Sequence, residues 1–388
     1  MALFLALAGA TALATGLIGG HSLTIDPGSR TTSTALPEPP ADAWLHARWT
    51  LGPAEPADPG SRFTYGGRLT WTGQEVLATG GRFYPGAAVS YTDGYAAYNP
   101  QAGTWRVLRP TLAGSLNGVA SPHTALSGQI FTFQRPDQYD DRYRLWSTLY
   151  DPATNVLTST SPDPLGELHS DVSSTIVGSR VLVTVAKNDR VRAAFYDPAT
   201  DTWQRADPPK VKGHGGGYTA VVGTPAGALL WHMWPRDSKE GTGTGVDLWR
   251  WNKGWTRESW SSQRTVGIPR LVGDKVLLDR EGPCVYCDQY HGSYPTERGR
   301  FVDPMTLHVT TDPAGPLDAH FPRRIGLKNV EIDLSESVRQ VQVLDRARGI
   351  WTALPQPPAA PATQPVWTGH ELVSLTKDGR VLALTPGS

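Results

Sequence analysis

Short apolar runs alternate with turn-forming residues along this chain, and no stretch carries apolar positions at helical spacing. Seven of the runs follow a tight glycine turn: WTGQEVLAT at 71–79, LSGQIFTF at 126–133, IVGSRVLVTV at 176–185, TPAGALLWHM at 224–233, LVGDKVLL at 271–278, IGLKNVEIDL at 325–334 and VWTGHELVSL at 366–375. Each reads as a hairpin in which Gly73, Gly128, Gly178, Gly227, Gly273, Gly326 or Gly369 supplies a positive φ. The run after each turn alternates or is wholly apolar, as a strand does.

A second pattern lies downstream of these hairpins. A large side chain, a polar turn and another large side chain seven positions on recur as YNPQAGTW from Tyr98, YDPATNVL from Tyr150, YDPATDTW from Tyr196, LWRWNKGW from Leu248, VDPMTLHV from Val302 and LDRARGIW from Leu344. Taken as the corner between a third and a fourth strand, this unit completes one four-stranded sheet per hairpin. The last hairpin has no such partner before the chain ends. The stretch ARWTLGPAEP at 47–56 resembles the outer strands that follow Trp105 and Trp351, so Trp49 is expected to complete the final sheet and close a ring. Closure leaves only short, protected edges where an open stack would expose a face.

Composition agrees with an all-β chain, since 41 Gly, 33 Pro and 14 Trp supply many turns and many large anchors. The 36 basic and 36 acidic residues cancel, which excludes a global field for nucleic acid or an anionic membrane. Residues 2–20 are uncharged and almost wholly apolar, so residues 1–20 read as a signal peptide or an N-terminal membrane anchor. Residues 21–44, rich in Ser, Thr and Pro, read as a disordered tether, and residues 45–388 as the folded domain. An extracellular or cell-surface location follows, with membrane contact only through the first segment and a single copy expected to suffice.

The Gly80-Gly81 pair with Tyr98 and Trp105, and Tyr196 with Trp203, give the chain its resemblance to the kelch-repeat β-propellers, the class to which the central domain of galactose oxidase belongs. Roughly 345 residues over seven repeats is about 49 each, against the roughly 50 of a kelch unit. The resemblance implies a seven-bladed β-propeller of kelch type. Leu157 and Val309 stand where that pattern has Trp.

In such blades the connections from second to third strand, and from fourth strand to the next blade, emerge at one end. Here they are long and carry aromatics with Arg, Asp and Glu, so that end is the expected ligand face. The candidates are Arg82, Phe83, Tyr84, Arg135, Tyr139, Trp234, Arg236, Tyr286, Tyr290 and Tyr294. His123, His169, His214 and His320 each precede or open a first strand and are expected around the mouth of the channel as polar lining. Cys284 and Cys287 are expected to form a local disulfide in the longest connection; zinc held with His291 is the lesser reading, because four ligands are wanted. The expected function is non-catalytic binding of an extracellular glycan or protein, with no metal or cofactor. The alternative is a carbohydrate-active enzyme, resembling a sugar epimerase or a copper-dependent oxidase, at the channel mouth. No phosphate loop, nucleophile elbow or HExxH occurs.

Overall fold

The computed structural model describes residues 38–56, 68–79, 82–83, 90–91, 95–108, 123–126, 128–134, 146–166, 172–187, 190–208, 218–235, 244–252, 254–262, 269–272, 274–278, 300–311, 324–327, 329–334 and 341–387, all within the unit Ala35–Ser388. The strands form seven blades of four, each an antiparallel meander from an inner strand a to an outer strand d. Blade one comprises Arg68–Trp71, Val76–Thr79, Tyr95–Asn99 and Thr104–Leu108; blade two comprises His123–Leu126, Gln129–Gln134, Trp146–Asp151 and Val156–Ser159. Blade three runs Val172–Val177, Arg180–Lys187, Arg190–Asp197 and Thr202–Arg205, and blade four Tyr218–Thr224, Gly227–Pro235, Thr244–Trp251 and Trp255–Ser262. Pro269–Val272, Lys275–Leu278, Arg300–Val302 and Val309–Thr311 form blade five; Arg324–Gly326, Val330–Asp333, Gln342–Asp345 and Ile350–Ala353 form blade six. Blade seven joins Val366–Trp367, Leu372–Leu375 and Arg380–Thr385 to the N-terminal strand Arg48–Ala54, with Trp49 opposite Leu384. The ring closes as the unpaired Trp49 requires.

The repeated corner has a local cause. Asn99, Asp151, Asp197 and Asp345 each end a strand c and Asp303 directly follows one, and each Oδ1 accepts backbone N–H groups two or three residues on. This side-chain turn is why Asn or Asp stands there, often before Pro. Four residues later the chain is left-handed at Gly103, Asn155, Asp201, Leu307 and Gly349, which returns it into strand d. The large pairs then face one another: Tyr98 with Trp105, Tyr150 with Leu157, Tyr196 with Trp203, Val302 with Val309 and Leu344 with Trp351.

Three expectations need correction. Blade four has a shorter corner, so Trp255 pairs with Trp251, and Leu248 pairs with Glu258. Gly326 is the last residue of a strand, opposite Glu331, and Leu327 N–H donates to the Val330 carbonyl to make the turn instead. The tether is expected to reach residue 44, yet Ala41–Leu45 is a helix whose Trp44 is fully buried, 5.5 Å from the ring of Trp367. Gly387 N–H donates to Ala43 carbonyl, and Glu38 accepts from Asn329 N–H, so the domain begins before residue 45. One tryptophan accounts for this, because burying a side chain of that size offsets the ordering of a short helix. Among the described residues no helix is long and apolar enough to cross a membrane, and residues 2–20 lie outside them.

Apolar side chains bind neighbouring blades face to face. Six clusters fill the seams one–two, two–three, three–four, four–five, six–seven and seven–one. At the rim, outer tryptophans reach back to the preceding blade: Nε1 of Trp49, Trp105, Trp203 and Trp255 donates to the carbonyl of Pro355, Pro53, Ser161 and Ala206, at 2.7, 3.4, 2.9 and 2.5 Å. Blades two and five carry Leu157 and Val309 at that position, and there an arginine crosses in the other sense. Arg106 donates to Pro152 carbonyl and Arg250 to Met305 carbonyl. Arg106 is itself held by Glu75 through two bonds of 2.9 and 2.5 Å.

Between blades three and four the inner strands also touch, with Val221 N–H on Ser173 Oγ and Gly223 N–H on Thr175 Oγ1 at 2.7 Å. A Cβ at Gly223 would lie 2.3 Å from the Ile176 carbonyl oxygen, so only glycine fits. Gly223→Ala should therefore destabilise by about 1–3 kcal/mol through forced displacement of a strand. Trp203→Phe keeps the ring beside Tyr196 but loses the indole donor, and should cost about 1 kcal/mol. Urea midpoints compared at equal m-value check both.

Candidate functional site

The meander gives the ring two unlike ends. At the corner end lie the hydrogen-bonded turns between strands a and b and between c and d. At the other end lie the b-to-c connections 80–94, 135–145, 188–189, 236–243, 279–299, 334–341 and 376–379, with the interblade segments. Five of the seven are long; those of blades three and seven are short.

Arg82 and Phe83 fall in the first of these connections, in a two-residue strand paired with Ser90–Tyr91. Trp234 is next to last in strand b of blade four, opposite Gly245, and His123 opens strand a of blade two, opposite Thr132. All four positions are at the long-connection end, Arg82 and Phe83 in one hairpin and the others in separate blades. Tyr84, Arg135, Tyr139, His169, His214, Arg236, Tyr286, Tyr290, Tyr294 and His320 lie outside the described residues, as do Cys284, Cys287 and His291.

Sequence reasoning missed a set of buried polar groups along strand b of several blades. Thr132 and Thr148 hydroxyls meet at 2.8 Å, Thr184 is wholly buried, and Ser374 bonds Thr363 at 3.2 Å. His232 in blade four is 1% exposed, and Glu331 and Asp333 in blade six are 0% and 2% exposed. Their signal was present as single polar residues at alternate positions of apolar strands, in LLWHMW and NVEIDL. Pleating sends alternate residues to opposite seams. Ala228 and Leu230 pack on blade three, so His232 faces that blade; Val330 and Ile332 pack on blade seven, so Glu331 and Asp333 face blade five.

Burial pushes the His232 imidazole down to about 4, so it is neutral near pH 7 and acts there as a hydrogen-bonding group rather than a proton shuttle. The same cause raises the Tyr150 and Tyr196 phenols, and Asn155 and Asp201 accept their hydroxyl protons at 3.0 and 2.9 Å. These tyrosines belong to the corners between strands c and d. Burial also raises the Glu371 carboxyl, in the a-to-b turn of blade seven, again at the corner end. Among the described residues no three His, Cys, Asp or Glu side chains are grouped to hold a metal ion.

The fold is a seven-bladed β-propeller with hydrogen-bonded turns at its corner end and b-to-c connections of unequal length at the other. No protein-family model and no curated protein matches the chain. Solved structures do. Virginiamycin B lyase from Staphylococcus aureus aligns at TM-score 0.55 and 10% identity, over 87% of this chain and 99% of that one. YCF48 bound to D1 peptide aligns at 0.51 and 10%, over 91% and 97%, and U3-55K at 0.51 and 8%, over 90% and 100%. At these identities the likeness is one of fold.

The depressed His232 carries a pH signature. Its ordinary value is 6.5, so between that and about 4 the unfolded chain binds the extra proton. Its contribution is complete above about pH 6.5 and is lost as pH falls toward 4, to a total of roughly 3 kcal/mol. Stability measured from pH 7.5 to 4 should show this slope in the native chain and a shallower one in His232→Phe.

Proposed function

We propose that this chain is an exported or membrane-tethered propeller of kelch type that binds an extracellular glycan or protein on its long-connection end. The observation that carries the reading is the asymmetry between the ends: the described corners are closed by hydrogen bonds, while five b-to-c connections are long and three of them, 80–94, 135–145 and 279–299, are rich in Arg and aromatics. Rigid scaffolds commonly carry recognition on such segments. Residues 2–20 support export. Tyr98 with Trp105 and Tyr196 with Trp203, paired across their corners, support the kelch assignment. A propeller of similar fold, YCF48, has been solved bound to a D1 peptide, which favours a polypeptide as one class of ligand. Neutral net charge argues against a polyanion.

A second reading places catalysis at the channel mouth. It is favoured by His123 at the first position of an inner strand, and by the lyase among the similar propellers. The two readings separate experimentally. Protein purified from the exported form is probed against a glycan array and a cell-envelope extract, then assayed for sugar turnover. Binding without turnover is expected. Tyr84→Ala and Trp234→Ala should each weaken binding about tenfold or more, with unchanged circular dichroism. Unaltered affinity in both variants would contradict the assignment of the face, and turnover lost in His123→Ala would favour the second reading.

A further inference from the structure

The folded chain starts and finishes at one end of the ring. Strand d runs from the corner end toward the long connections, so Arg48, opposite Thr385, opens the closing strand at the corner end. Helix Ala41–Leu45 just before it is fixed to that end by three contacts. Gly387 N–H donates to the Ala43 carbonyl at 2.8 Å, and Arg348 in the c-to-d turn of blade six donates to Asp42 Oδ1 at 3.2 Å. Asn329 N–H, in the a-to-b turn of blade six, donates to Glu38 at 3.2 Å. The chain that precedes residue 38 therefore joins the domain on the side away from the long connections.

The same end carries apolar side chains that the fold leaves uncovered. Met305, 58% exposed, lies in the c-to-d turn of blade five; Ile350, 57% exposed, opens strand d of blade six; Leu45, 41% exposed, ends the helix between blades six and seven. Val156, first in strand d of blade two, and Leu271, next to last in strand a of blade five, stand at the corner end as well. Of the six exposed large apolar side chains among the described residues, Val107 alone is elsewhere. One exposed leucine needs no explanation, but a bias toward one end does.

We propose that the corner end of blades five to seven is a membrane-facing surface, seated on the lipid headgroups of the bilayer that residues 2–20 enter, so that the long connections point away from it. The inference rests on the tethered form of the reading above, and extends membrane contact beyond the first segment. Chain length favours this orientation. As the tether the sequence predicts, the 17 residues of 21–37 would span about 23 Å root-mean-square. An eight-residue strand such as Arg190–Asp197 is itself roughly 26 Å long. Bringing the long connections to the lipid would use the whole of that span along the side of the ring, whereas the corner end is reached directly. Met305, Ile350 and Leu45 gain there by leaving water for the boundary between headgroups and acyl chains. A net charge of zero asks for no anionic lipid, so phosphatidylcholine suffices.

The test uses the full chain in a Cys284→Ser, Cys287→Ser background, reconstituted in phosphatidylcholine vesicles and recovered by flotation. A fluorescent maleimide is attached at Met305→Cys, Ile350→Cys or, in the b-to-c turn of blade seven, Lys377→Cys, and quenching by lipid with a nitroxide headgroup is measured. Emission from the first two sites should fall about twofold or more, and that from Lys377→Cys should not change. Adding Leu45→Asp and Met305→Asp to the Ile350→Cys protein should halve its quenching, roughly, while flotation persists. Floating protein that is quenched equally at all three sites, or at none, would overturn the surface and leave the tether standing. Quenching at Ile350→Cys that the two aspartates do not alter would also overturn it. Protein that fails to float would overturn the tethered reading, and the surface with it.

Discussion

Antiparallel pairing of Arg48–Ala54 with Arg380–Thr385 joins the two ends of a ring whose other strands pair mainly with near neighbours in sequence. Each blade alone is a twisted four-stranded sheet with two apolar faces, and it is stable only between two others. The closing strand therefore affects more than blade seven. Without it, the apolar face at the six–seven seam loses Trp49, which packs there with Trp44 and Ala47. The tryptophan bonds carry the same dependence around the rim, since Trp105 donates into the closing strand at Pro53 and Trp49 donates out of it to Pro355. Helix Ala41–Leu45 and the tail at Gly387 fasten the junction from the corner end.

The architecture was legible because its causes are local and repeated. Asp or Asn before a turn, a left-handed residue four positions on, and facing large side chains are each set by a few adjacent residues. Trp49 was legible by subtraction, as an outer strand with no sheet of its own. What sequence pattern misplaced was decided by contacts across distance. Trp44 sits in a stretch whose composition reads as disordered, yet one indole finds a slot beside Trp367. In blade four, apolar residues at 248, 249 and 251 allow two registers, and the shorter corner wins by pairing Trp251 with Trp255 at 5.2 Å. Arg106 and Arg250 replace missing tryptophans from the preceding blade, a substitution invisible along the chain.

The site divides in the same way. Long connections carrying Arg and aromatics stand out in the sequence, because strand periodicity leaves them over, and they are the ground for the proposed ligand end. The buried His232, Glu331 and Asp333 were passed over because single polar residues within apolar strands look like noise in an alternation. Only the pleat reveals that they face seams, and only the neighbouring blade reveals what they replace.

The central claim is that the closing strand holds the ring together. The most direct measurement is thermal unfolding of a chain beginning at residue 57, alone and with a synthetic peptide of residues 38–56. The account predicts loss of a cooperative transition in the shortened chain and its recovery as the peptide is added. A shortened chain that unfolds cooperatively at the temperature of the full one, with no response to peptide, would contradict it.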